Sequence, residues 1–202
     1  MSGHDTLDPR ARQVLAFWFD EAATAAEASA RWFGHDDAFD TAIRARFSAL
    51  REEAIASRLD AWLADPHGRL ALILLVDQFS RNLFRGDPRA FEHDPLARRW
   101  SVEGIDAGAD RTLQPIERVF FYLPLEHSEA LADQQRSVAL FTSLRDEAPA
   151  ARRGEFDVFL DYARRHHHVI ARHGRFPHRN AVLGRTSTAE EAAYLAQPGA
   201  GF

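Results

Sequence analysis

A chain of 202 residues with 46% hydrophobic side chains is long enough to bury a core of ordinary size. Its net charge of −5 and pI near 6.0 exclude the broadly basic surface that gathers nucleic acid, and the absence of cysteine excludes disulfides, thiolate chemistry and sulfur-ligated zinc. All 25 Lys-plus-Arg positions are arginine, whose planar fork grips carboxylate and phosphate in pairs, so local arginine clusters matter more than the total.

The longest apolar run of the first twenty residues, Val14 to Phe19, sits among His4, Asp5, Asp8 and Asp20 and is too short for a signal peptide or a membrane span. A soluble, cytoplasmic, single domain over residues 1–202 is the expectation. Four Asp-Pro pairs, at 8–9, 65–66, 87–88 and 94–95, punctuate the first half. Asp suits an N-cap and Pro the first helical position, so at least three of them predict helix starts.

A first helix is predicted from Pro9 to near Ala22, burying Val14, Leu15, Phe17, Trp18 and Phe19. Trp32 to Asp36 breaks the pattern, and Asp36 or Asp37 caps a second helix through Ile43, Phe47 and Ala54. The stretch Leu70 to Gly86 follows the turn at Asp65-Pro66-His67-Gly68. Leu72, Val76, Phe79 and Leu83 share one face, but Ile73, Leu74 and Leu75 cover the other sides, and a helix apolar all round is a buried one. A helix from Pro95 stops near Gly108, and Pro115 opens another that Pro124 kinks or restarts. Long helices over Pro124 to Arg145 and Glu155 to Arg172, the latter closed by Gly174, precede a polar loop and a short helix with a capping box at Ser187 and Glu190. No strand alternation is visible, so the fold class is all-α, with short connections between antiparallel helical hairpins.

Three segments put polar groups beside core residues. In the first, Asp77 and Arg81 have the spacing of an intrahelical ion pair, and Asn82 and Arg85 follow. In the second, Glu126, Glu129 and Asp133 fall on one helical stripe that calls for a facing cation, with His127 as a candidate proton shuttle. The third, Arg175, His178, Arg179 and Asn180, has the donors of an anion site, or else neutralises Glu126 or Asp133 and staples the loop to the bundle. His166-His167-His168 is set aside as a metal tract, because consecutive helical residues point about 100° apart. No metal site and no cofactor are expected.

Together these segments resemble a largely bacterial family, the one catalogued as domain of unknown function 924. The resemblance rests on Asp77-Gln-Phe-Ser-Arg-Asn-Leu-Phe-Arg-Gly86, on Phe121-Tyr-Leu-Pro-Leu-Glu-His-Ser-Glu129 with Ala132-Asp-Gln, and on Gly174-Arg-Phe-Pro-His-Arg-Asn180 with Leu183-Gly-Arg. Val14 to Phe19 and Arg31-Trp-Phe33 also fit. Ser80 departs from it, the family more often having Pro. The resemblance implies a tetratricopeptide-like helical bundle and no settled activity.

The first expectation is one concave site that binds a small anionic molecule. Arg81, Arg175 and Arg179 are its clamps, Asn82, Arg85 and Asn180 further ligands, Asp77 and Glu126 orienting groups, and His127 and His178, with Glu126, the catalytic candidates. Catalyst and binder are not distinguished. The alternatives are a helical module that binds a peptide or partner protein, and a buried ion network with no ligand. Neither a nucleic acid nor a membrane is an expected partner, and oligomeric state is not readable.

Overall fold

A computed structural model describes residues 7–20 and 22–201; His4 and Asp5, used above in reading the N-terminus, lie outside them. The described residues are all-helical, with no strand among them. They divide into two compact units, one running through Arg85 and again over Arg89–Phe121, the other taking Gly86–Pro88 and continuing from Tyr122.

In unit 1, Asp8 accepts from the Arg10 N–H with Pro9 in the first turn, opening α1 (Pro9–Trp18). The helix stops at Trp18, short of the expected Ala22, because a separate capping box at Thr24 and Glu27 starts α2 (Ala25–Phe33), which the sequence reading passed over. Asp36 caps α3 (Asp37–Ile55), as one of the two aspartates expected there. Asp65 accepts from the His67 and Gly68 N–H groups to start α4 (Pro66–Ile73). Each such cap is worth about 1 kcal/mol. Leu70 to Val76 are wholly buried, as their all-round apolar pattern requires.

Within this buried helix the backbone widens. Leu74–Gln78 is a π-helical turn, in which the Phe79 N–H reaches back five residues to the Leu74 carbonyl, and α5 (Phe79–Leu83) resumes the α pattern. Such turns concentrate at functional sites. Ser80 donates to the Val76 carbonyl and accepts from the Arg51 guanidinium at 2.7 Å, two bonds that a proline there lacks.

The core of unit 1 is aromatic. Trp18 lies 5.5 Å from Phe79 and 5.4 Å from Phe120, and Phe17 stacks on Phe39 at 4.9 Å. α6 (Asp94–Asp106) packs close at Gly104, where an added Cβ would stand 2.5 Å from the Phe121 ring and 2.6 Å from the Arg69 side chain. Asp94 is the first residue of α6 rather than its cap, because its carboxylate is engaged by Arg81.

The division between units falls inside α7 (Pro115–Glu126), which contains Pro124 without ending there. The expected helix from Pro124 to Arg145 is instead the last turn of α7, a turn over 127–130, and α8 (Leu131–Glu147). Gln134 makes that break. Its Nε2 donates to the carbonyls of Glu126 at 2.6 Å and Ser128 at 2.7 Å, satisfying acceptors that a helix C-terminus leaves open. α9 (Arg153–His173) forms a hairpin with α8, with Arg145 reaching Asp157 beside the connection, and Gly174 closes α9 at φ 69°, a left-handed conformation natural to glycine. α10 (Ala189–Leu195) is opened by a capping box at Thr188 and Glu191, one residue beyond the expected Ser187 and Glu190.

Candidate functional site

Asp77, Arg81, Asn82 and Arg85 lie in unit 1, and Glu126, His127, Arg175, His178, Arg179 and Asn180 in unit 2. The π turn and α5 position the first group. Arg81 donates from both terminal nitrogens to Asp94 at 3.0 Å, stands 3.1 Å from the wholly buried Asp77 carboxylate, and lies over the Phe91 ring. Burial opposes its charge, but Asp77 and Asp94 outweigh that and hold its pKa above the ordinary value. The i, i+4 pair read from the sequence is therefore present, joined by a second carboxylate that the sequence reading missed. Arg81, expected as an anion clamp, is already clamped from within.

One turn further, the chain borders a cleft of about 340 Å³. Asn82 donates to one oxygen of Asp40 at 2.7 Å, and the Arg85 Nε donates to the other at 2.5 Å. Burial would raise the Asp40 pKa, yet Arg85 and Asn82 prevail and lower it, so the carboxylate stays ionised and fixes both donors. Arg44, on α3, donates to the Leu83 carbonyl at 2.9 Å, and no carboxylate among the described residues stands within ion-pair reach of it. Asp40 and Arg44 were missed because α3 reads from sequence as an ordinary amphipathic helix; only its packing on α5 brings them here.

In unit 2 the acidic residues do not form one stripe, since the turn at 127–130 separates them, and each finds its own partner. Glu126 meets the His166 Nδ1 at 3.2 Å. Glu129 takes both terminal nitrogens of Arg185, at 2.8 and 3.0 Å, and the Phe176 N–H at 2.8 Å. Its pKa is lowered because Arg185 and that N–H outweigh burial. Asp133 accepts from Ser128 at 2.6 Å. Arg185 thus ties the loop to Glu129.

Arg175 instead grips Glu191 through two nitrogens, at 2.6 and 2.8 Å, and Asn180 donates to the same carboxylate at 3.3 Å. The hydrogen bond from Arg175 is the largest reason that the Glu191 pKa falls to about 2. Arg175 and Asn180 thus tie the loop to Glu191 on α10. Arg179 donates to the His127 carbonyl at 3.0 Å and stacks on Phe176 at 4.4 Å.

His166, set aside with its two neighbours, is the residue of that run that points inward, 5% exposed. The signal was present: Phe156, Leu160, Ala163, His166 and Ile170 form one buried stripe along α9. Burial drives its pKa down to about 3, and that of His178 to about 4, so both imidazoles are neutral near pH 7. Among the described residues, no group of three His, Asp or Glu side chains is arranged to hold a metal ion, and no helix is long and apolar enough to cross a membrane.

Comparison with solved structures finds the protein of unknown function ATU0120 from Agrobacterium tumefaciens, 38% identical, with a TM-score of 0.80 over 93% of this chain and 97% of that one. No curated protein matches. The family model described as a bacterial protein of unknown function, DUF924, matches residues 14–199, and the chain belongs to that family.

Proposed function

We propose that the chain binds a small anionic molecule in the cleft of unit 1, with Arg44 as its charged contact and Asn82 and Arg85 on the wall. The observation that carries this is Arg44: its guanidinium has a backbone carbonyl for company and faces a cleft in which Asp40 already neutralises Arg85. Asp37, also on the wall, lies 3.1 Å from His35, and a carboxylate or phosphate would pair with the Arg44 guanidinium. The absence of cysteine and of a long apolar helix among the described residues supports a cytoplasmic setting.

Calorimetric titration with inorganic phosphate and with succinate tests it. Arg44→Met should weaken whichever binds by about tenfold, the loss of one charge-assisted hydrogen bond. Binding unchanged in that variant, or absent from the parent protein, overturns the reading.

A further inference from the structure

The cleft of unit 1 carries charges of both signs, and they do not all cancel within the protein. Arg85 donates to both oxygens of Asp40, at 2.5 and 3.1 Å, and Asn82 adds a third bond to the same carboxylate, so that pair is closed. What remains on the wall is Arg44, bonded to the Leu83 carbonyl, and Asp37. One Asp37 oxygen lies 3.1 Å from the His35 Nε2, but the Asp37 side chain is 95% exposed, so water rather than protein covers the rest of it. An ion pair this exposed is worth little, and it leaves the carboxylate open to a second cation.

Both groups stand on α3. Asp37 and Arg44 are seven residues apart, about 20° short of two full turns, so they share one face with a rise of about 10.5 Å between them. Thr41, four residues after Asp37 and three before Arg44, lies between them on that face and also borders the cleft. Its hydroxyl both donates and accepts, and it has no partner among the described residues. A molecule lying along this face of α3 meets a carboxylate, a hydroxyl and a guanidinium in turn.

The volume of about 340 Å³ is at the lower end for small-molecule sites. A plain anion on Arg44 shares the cleft with the like charge of Asp37, and a plain cation on Asp37 shares it with Arg44. A molecule with an acid group at one end and an ammonium at the other answers both.

Resting on the anion reading of this cleft, we infer that its ligand is a small zwitterion with well-separated charges, an ω-amino acid or a molecule built like one. The acid group pairs with Arg44, the ammonium with Asp37, and the spacer runs past Thr41. The two-turn separation of the protein charges is what favours charges at opposite ends over an acid and an amine on one carbon. Binding makes and breaks no covalent bond.

Nuclear magnetic resonance titration at low ionic strength with γ-aminobutyrate and with butyrate, which differ by the ammonium alone, tests this. The parent protein should bind γ-aminobutyrate about three- to fivefold more tightly than butyrate, the worth of one exposed ion pair. Asp37→Asn leaves Asp36 capping α3 and should bring γ-aminobutyrate down to the butyrate level without weakening butyrate; Arg44→Met should weaken both. Equal binding of the two compounds by the parent, or an advantage of γ-aminobutyrate that survives Asp37→Asn, overturns the zwitterion while the anion reading stands on the Arg44→Met loss alone. No binding of either compound, or binding indifferent to Arg44→Met, overturns both.

Discussion

Acidification should weaken unit 2 through His166 by an amount the structure sets. The ring is neutral and 5% exposed in the folded chain, with a pKa moved from 6.5 to about 3. Because the folded value lies below the unfolded one, the unfolded chain binds more protons between those pH values, and stability falls as pH drops through that window. From pH 7.5 to pH 5 the loss from this one residue is about 2 kcal/mol. His166→Asn keeps a donor for Tyr162 and Glu126 but does not titrate, so it should lose about 2 kcal/mol less than the parent over the same pH step. All four tryptophans lie in unit 1, so urea unfolding followed by far-UV circular dichroism, with tryptophan fluorescence recorded beside it, separates the two units. Equal pH dependence in parent and variant would refute the argument that burial keeps this imidazole neutral.

Three further outcomes follow from packing and hydrogen bonding. Arg81→Met leaves the buried Asp77 without its cation and should cost about 3 kcal/mol in urea unfolding followed by tryptophan fluorescence, with phosphate or succinate binding at the cleft unaltered. Gly104→Ala forces a methyl against Phe121 and Arg69 and should cost about 1 to 3 kcal/mol despite the better helix propensity of alanine, read as a lower melting temperature. Gln134→Leu uncovers the carbonyls of Glu126 and Ser128 and should cost about 1 to 3 kcal/mol, seen as faster amide exchange at the start of α8 and weaker unit 2 unfolding.

The all-helical class, the buried central helix and most helix starts were legible, because an apolar pattern at helical spacing and Asp before Pro are local signals. Asp8, Asp36 and Asp65 show this directly. What was not legible depends on partners far along the chain. That Arg81 is held by Asp94, that Arg185 meets Glu129, and that Asp40 fixes both Asn82 and Arg85 are facts of packing across 13 to 56 residues of sequence. The acidic stripe failed for a related reason: helical spacing assumes an unbroken helix, and the Gln134 side chain favours a break that only tertiary contact reveals. His166 was legible in principle from the buried stripe of α9, but the run of three histidines drew attention to metal geometry instead.

The widened turn at Leu74–Gln78 accommodates one more residue than an ordinary α-helical path of the same rise. Deleting a single amino acid there should leave a continuous α-helix, so the chain has a ready way to tolerate the loss. Downstream little would change: the widened turn rotates the chain about as far as an α-helical path one residue shorter, so side chains from Phe79 onward would keep their facing, Arg81 on Asp94 and Asn82 on Asp40. Shortening the gene by one codon at this point thus spares both polar contacts of α5, whereas the same deletion in a regular α-helical stretch would swing every later side chain by about 100°.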